Sequence, residues 1–128
     1  MRKILLSSLF IQDLLYNKKK KDILGKAVEK EIKSNSYIYI TSLSALHLLQ
    51  LYNTRKNEDE VWENLKTLTE NILNIGRDEL EIYISLRKQF GEQDILMDMS
   101  AAVRNGISTV FHSEKLTFPQ KMVQISVF

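Results

Sequence analysis

The sequence has no cysteine, one proline and four glycines among its 128 residues. Without cysteine there are no disulfides, no thiolate zinc sites and no thiol nucleophile, a composition that suits a reducing cytosol. The glycines are scattered, so no glycine-rich loop is available to cradle a phosphate. The single proline, Pro119, lies late in the chain, and no repeat, low-complexity tract or linker divides it. No apolar run approaches the length of a membrane span. Met1-Arg2-Lys3 before Ile4-Leu5-Leu6 has the charge of a signal-peptide start, but Ser7, Ser8, Gln12 and Asp13 break the run and no small-residue cleavage site follows. The expectation is a cytoplasmic protein with no membrane partner. Charge of one sign is also scarce: the net charge of +2 does not by itself mark a nucleic-acid binder. The one dense basic run, Lys18 to Lys21, reads as a solvated turn or helix start.

What is present is a hydrophobic content of 44% in a chain of single-domain length, enough for one core across residues 1–128. Lys3 to Leu6 is a short apolar run suited to a buried strand. Ser7 or Ser8 can cap a helix reaching about Tyr16, because a serine oxygen accepts from the free amides of a first turn. Leu24, Ala27, Val28 and Ile32 recur at helical spacing before Ser34-Asn35-Ser36. Tyr37 to Thr41, aromatic and β-branched, predicts a strand. Thr41 or Ser42 then caps a helix from Leu43 to about Tyr52, apolar on nearly every side and expected to be buried. Asn57-Glu58-Asp59-Glu60 has the pattern of a capped helix start, with Val61, Leu65, Leu68 and Ile72 along one face. Ile72 to Ile75 predicts a short strand. Asp78 is the expected cap of a helix ending at Gly91, and a further helix runs from about Gln93 to Asn105, with Gly106 as its left-handed stop. Ile107 to Phe111 and Met122 to Val127 close the chain as strands. Strands separated by helical segments predict an α/β protein: a mostly parallel central sheet flanked by helices on both faces, in three layers.

Several segments, in order, resemble PIN domains of the VapC-toxin kind. Lys3 to Leu15 resembles the family's opening, an apolar strand followed by Asp-Thr-Asn and an apolar helix. Ile40 to Leu48 resembles its second motif, a strand ending in a Ser/Thr-capped helix that carries a Glu. Ile72 to Ile75 and Leu86 to Gly91 are similar to the strand and helix before the third motif. Asp94 to Val110 resembles that motif, an Asp opening a helix that ends at Gly before a strand. Phe111-His112-Ser113 then stands at the family's Thr-x-Asp, with Phe118 shortly after.

The resemblance implies a nuclease fold whose active members gather three or four carboxylates around magnesium or manganese, since hard cations take oxygen ligands and the metal activates water. Here the pocket is degenerate. Ser7 stands for the first Asp, Leu9 for the nearby Asn, His47 for the Glu and Ser113 for the last Asp, leaving Asp94 as the favoured remaining acid. Asp98, four positions on and expected on the same helix face, is the other candidate, and these two are the metal ligands to consider. Asp94 otherwise reads as a helix cap, and His47 as a hydrogen-bonded histidine beside a buried helix. A His47, Asp94 and His112 site for a softer metal such as zinc is a further arrangement, and a Ser7 or Ser113 relay with His47 and Asp94 lacks the surrounding elbow sequence.

The reading that follows is a PIN-like protein without catalysis. It needs no cofactor beyond weak magnesium or manganese, and it binds RNA or a protein partner such as an antitoxin-like peptide. The alternative is an active metal-dependent ribonuclease of the toxin–antitoxin type, with acids such as Glu92 or Glu114 substituting. A third is a structural subunit. A homodimer is expected, because Leu46, Leu48, Leu49, Leu51, Tyr52 and Trp62 leave the middle helices with more apolar surface than a small domain covers.

Overall fold

The computed structural model describes residues 1–52 and 58–128. The chain alternates β1 (Lys3–Leu6), α1 (Ser8–Tyr16), α2 (Lys21–Lys33), β2 (Tyr37–Thr41), α3 (Ser42–Leu51), α4 (Glu58–Leu68), β3 (Asn71–Leu73), α5 (Arg77–Phe90), α6 (Leu96–Arg104), β4 (Thr109–His112) and β5 (Gln124–Val127). The strands form one sheet in the order β3-β2-β1-β4-β5. Every neighbouring pair is parallel, with Leu5 opposite both Tyr39 and Val110. All strands therefore deliver their carboxyl ends to the same side of the molecule.

Alternation along β1 divides the core between the two faces. Ile4 and Leu6 pack with Phe10, Leu24, Ile40, Leu48 and Leu65 on the α1 to α4 side. Leu5 packs with Leu86, Leu96, Met99 and Val110 on the α5 and α6 side. The first face is closed by three phenylalanines, with the Phe111 and Phe128 ring centroids 4.7 Å apart and Phe10 to Phe111 at 5.7 Å. Side chains of β1 are covered from both directions, which is why its sequence is a continuous apolar run.

Local differences from the sequence reading have physical causes. The α3 helix is not buried all round: Leu48 is in the core, while Leu43, Leu46 and Leu51 face outward. Only one stripe of α3 meets the sheet. The α5 helix begins one residue before Asp78, at Arg77, with Gly76 as its cap and its amide donating to Glu79 Oε2 at 3.0 Å. Asp78 instead lies in the first turn, where its charge suits the helix dipole. The α6 helix starts at Leu96, and Gln93 to Ile95 form the approach to it. The strand expected at Ile72 to Ile75 sits at Asn71–Leu73, and β4 reaches His112. Gly106 takes φ +66°, the left-handed stop expected of it. The cap expected at Asn57 lies outside the described residues. No described helix is long and apolar enough to cross a membrane.

Candidate functional site

The carboxyl ends of β1, β2 and β4 lead directly into polar residues. Ser7 caps α1, accepting from the Phe10 amide at 3.1 Å. Thr41 caps α3, accepting from the Ser44 amide at 3.0 Å. In both, the strand's last residues hand a hydroxyl to the exposed amides of the next helix. Buried hydroxyls thus gather where the three strands end.

Three linked groups form there. In the first, Ser8 N–H donates to Asp98 Oδ2 at 3.1 Å, and Ser44 Oγ donates to Asp98 Oδ1 at 3.3 Å. Thr41 Oγ1 donates to Ser44 Oγ at 3.0 Å, and the Ser8 and Ser44 hydroxyls share a further hydrogen bond. Ser44 has one hydroxyl proton. When Asp98 is ionised that proton points to the carboxylate, so the Ser8 hydroxyl must donate to Ser44. With only 1% of its surface exposed, Asp98 is desolvated, and burial pushes its carboxyl up to about 6 against the opposing pull of Ser8 and Ser44.

In the second group, Ser7 Oγ meets His112 Nδ1 at 2.7 Å, both side chains buried. Strand alternation sends His112 to the face opposite Phe111, and there it finds the end of β1. Burial lowers the His112 pKa, offset in part by the nearby charges of Glu114, Asp13 and Asp94. In the third, Ser113 Oγ donates to Asp13 Oδ2 at 2.7 Å. Lys20 Nζ donates to the Ser113 carbonyl at 2.9 Å and lies 3.6 Å from the Asp13 carboxylate.

The residues singled out from the sequence fall into different hydrogen-bonded groups, with Asp94 lining a small pocket beside His112. Ser7 and Ser113 lie within the cluster but are joined to His112 and Asp13, not to each other. Asp94 is exposed and precedes α6, whose cap position is Ile95. Asp94 is thus neither that helix's cap nor on a helical face with Asp98. It nonetheless lines an open groove with Asp98, Ser8, Thr41, Tyr83 and Glu92. His47 is exposed, one turn along α3 from Ser44, and makes no side-chain hydrogen bond among the described residues. Among the described residues no three His, Asp or Glu side chains come together as a metal-holding set, so the His47, Asp94 and His112 arrangement is not assembled. Sequence reasoning missed Asp13, Ser8 and Ser44. The spacing of Ser44, three residues after the cap Thr41, was the one available signal.

On the α1 to α4 side, α1, α2 and α4 border a groove of about 650 Å³ lined by Leu14, Leu15, Val28, Ile32 and Leu68, with Lys26 among the polar residues beside them.

No family model matches the sequence, and no curated protein matches it. Solved structures do. The chain is similar to VapBC2 from Rickettsia felis, determined bound to a DNA fragment from their promoter, with a TM-score of 0.72 and 15% identity over 98% of each chain. It is also similar to a toxin–antitoxin complex from Klebsiella pneumoniae, with a TM-score of 0.67 and 15% identity over 87% of this chain and 86% of that one. At such identity the likeness is one of architecture. The chain has the three-layer, PIN-like α/β fold with a central all-parallel sheet.

Proposed function

We propose that this chain is a degenerate PIN-like protein that acts by binding a partner protein, an antitoxin-like segment, rather than by cleaving RNA. The observation that carries the reading is the apolar groove between α1, α2 and α4, where Leu15, Ile32 and Leu68 remain only partly covered. An amphipathic helix laid in such a groove would bury its apolar face against them. The fold likeness to toxin–antitoxin complexes supports a protein partner. RNA is the less favoured ligand. Of the basic run, Lys18, Lys19 and Lys21 are exposed, while Lys20 is engaged by Asp13 and Ser113. The outward-facing Leu43, Leu46 and Leu51 of α3, with Leu80 and Ile84 of α5, support pairing of two copies as well.

A second reading, a magnesium- or manganese-dependent ribonuclease, rests on Glu92, Asp94 and Asp98 lining one groove. The deciding experiment has two arms. Purified protein is incubated with RNA and manganese, and separately titrated with a synthetic amphipathic helical peptide that carries leucines along one face. Tight binding that Ile32→Glu weakens at least tenfold, without RNA cleavage, supports the proposal. Cleavage abolished by chelator and by Asp98→Asn establishes the nuclease instead. Ile32 is 54% exposed, so its substitution leaves the fold intact.

A further inference from the structure

We infer that the junction of Ser8, Thr41, Ser44 and Asp98 holds the carboxyl end of the sheet together by hydrogen bonds alone, in the place where the resemblance implies a divalent cation. The residues present do not fit such an ion. A hard cation takes about six or more oxygen ligands and favours several carboxylates among them. Here a single buried carboxylate spends one oxygen on the Ser8 amide and the other on the Ser44 hydroxyl. The remaining hydroxyls are turned on each other, and among the described residues no buried side-chain nitrogen or oxygen lacks a partner. Asp94 stands exposed at the groove rim.

The arrangement does structural work that a metal would otherwise do. Ser8 opens the helix after β1, Thr41 and Ser44 open the helix after β2, and Asp98 lies on α6 across the other face of the sheet. One carboxylate therefore bridges both helical layers through the strand ends. Removing Ser44 deprives the buried charge of a donor and leaves the Ser8 and Thr41 hydroxyls without their acceptor, a cost that falls on the folded state. The inference does not depend on the partner reading, because its test contains neither RNA nor a partner.

Thermal unfolding of the full chain tests it. Wild-type protein should melt at the same temperature in chelator, in millimolar magnesium and in millimolar manganese. Ser44→Ala should lower the midpoint by about 4 °C or more. In an Asp98→Asn background the same change should cost clearly less, since no buried charge is left short of a donor. A midpoint that rises with manganese and ceases to do so in Asp98→Asn overturns the inference. So does an equal loss for Ser44→Ala in both backgrounds. If Ser44→Ala does not fold, the metal titration of wild-type protein still decides.

Discussion

Replacing Asp98 by asparagine should stabilise the protein at neutral pH. The Asp98 carboxyl titrates at about 6 when folded against 3.8 for the free group, a gap worth about 3 kcal/mol. Below 3.8 both folded and unfolded chains hold the proton, and burial of the group carries no ionic cost. Between 3.8 and about 6 the unfolded chain releases its proton first, so stability falls as pH rises; above about 6 the penalty is complete. Asparagine keeps the shape and lacks the charge. Its oxygen can accept the Ser8 amide, and its amide can donate to Ser44, whose own proton then turns to the Ser8 hydroxyl. Each hydrogen bond survives with the direction of two reversed. Urea unfolding of both proteins should give Asp98→Asn an advantage of about 1–3 kcal/mol at about pH 7.5, shrinking toward zero near pH 4. Taking the difference between the two proteins cancels the titration of every other group. The reasoning is refuted if Asp98→Asn is the less stable protein at neutral pH, or if its advantage is the same at both pH values.

Other outcomes can be measured independently. His112 should titrate below the ordinary imidazole value by NMR and stay neutral at neutral pH, and Ser7→Asp, which sets a carboxylate against Nδ1, should raise it; a His112 pKa unmoved by Ser7→Asp would contradict the 2.7 Å contact. Phe10→Ala, which removes the ring packed against Phe111 and Phe128, should cost about 3–5 kcal/mol in denaturant unfolding. Gly106→Ala should cost about 1 kcal/mol or more because of its φ of +66°, although no atom would meet the added carbon. Restoring an acid by Ser113→Asp should destabilise the fold, because it replaces the donor to Asp13 with a second carboxylate.

The regular parts of this architecture were legible because they rest on local pattern. Lys3–Leu6 and Tyr37–Thr41 are the strands that the apolar run and the β-branched cluster predict, and the caps Ser7 and Thr41 follow from their place before apolar helices. Gly106 stops its helix as glycine at that position should. The site was less legible because its contacts are long-range. Ser7 and His112 are separated by most of the chain, and nothing in the spacing of either announces the other. Asp94 has the sequence pattern of a helix opener, whereas the helix begins at Leu96 and, of these two acids, Asp98 is the one drawn into the cluster. Which carboxylate turns inward depends on the helix's rotation against the sheet, a property of packing that no local motif encodes.

The central position of β1 has a consequence for how the chain comes together during synthesis. Its two neighbours in the sheet are β2 and β4, the latter made only after residue 108. A nascent chain can pair β1 with β2 early and cover one side with α1 and α2. The other edge of β1 must then wait, with its peptide groups unpaired, through α3 to α6 until Thr109–His112 emerges. Long-range parallel pairing of this kind is slow and leaves an edge that can pair wrongly with another chain. The edge of β1 that meets β4 thus stays open until Thr109–His112 has been made, and β4 in turn keeps an open edge until Gln124–Val127 follows.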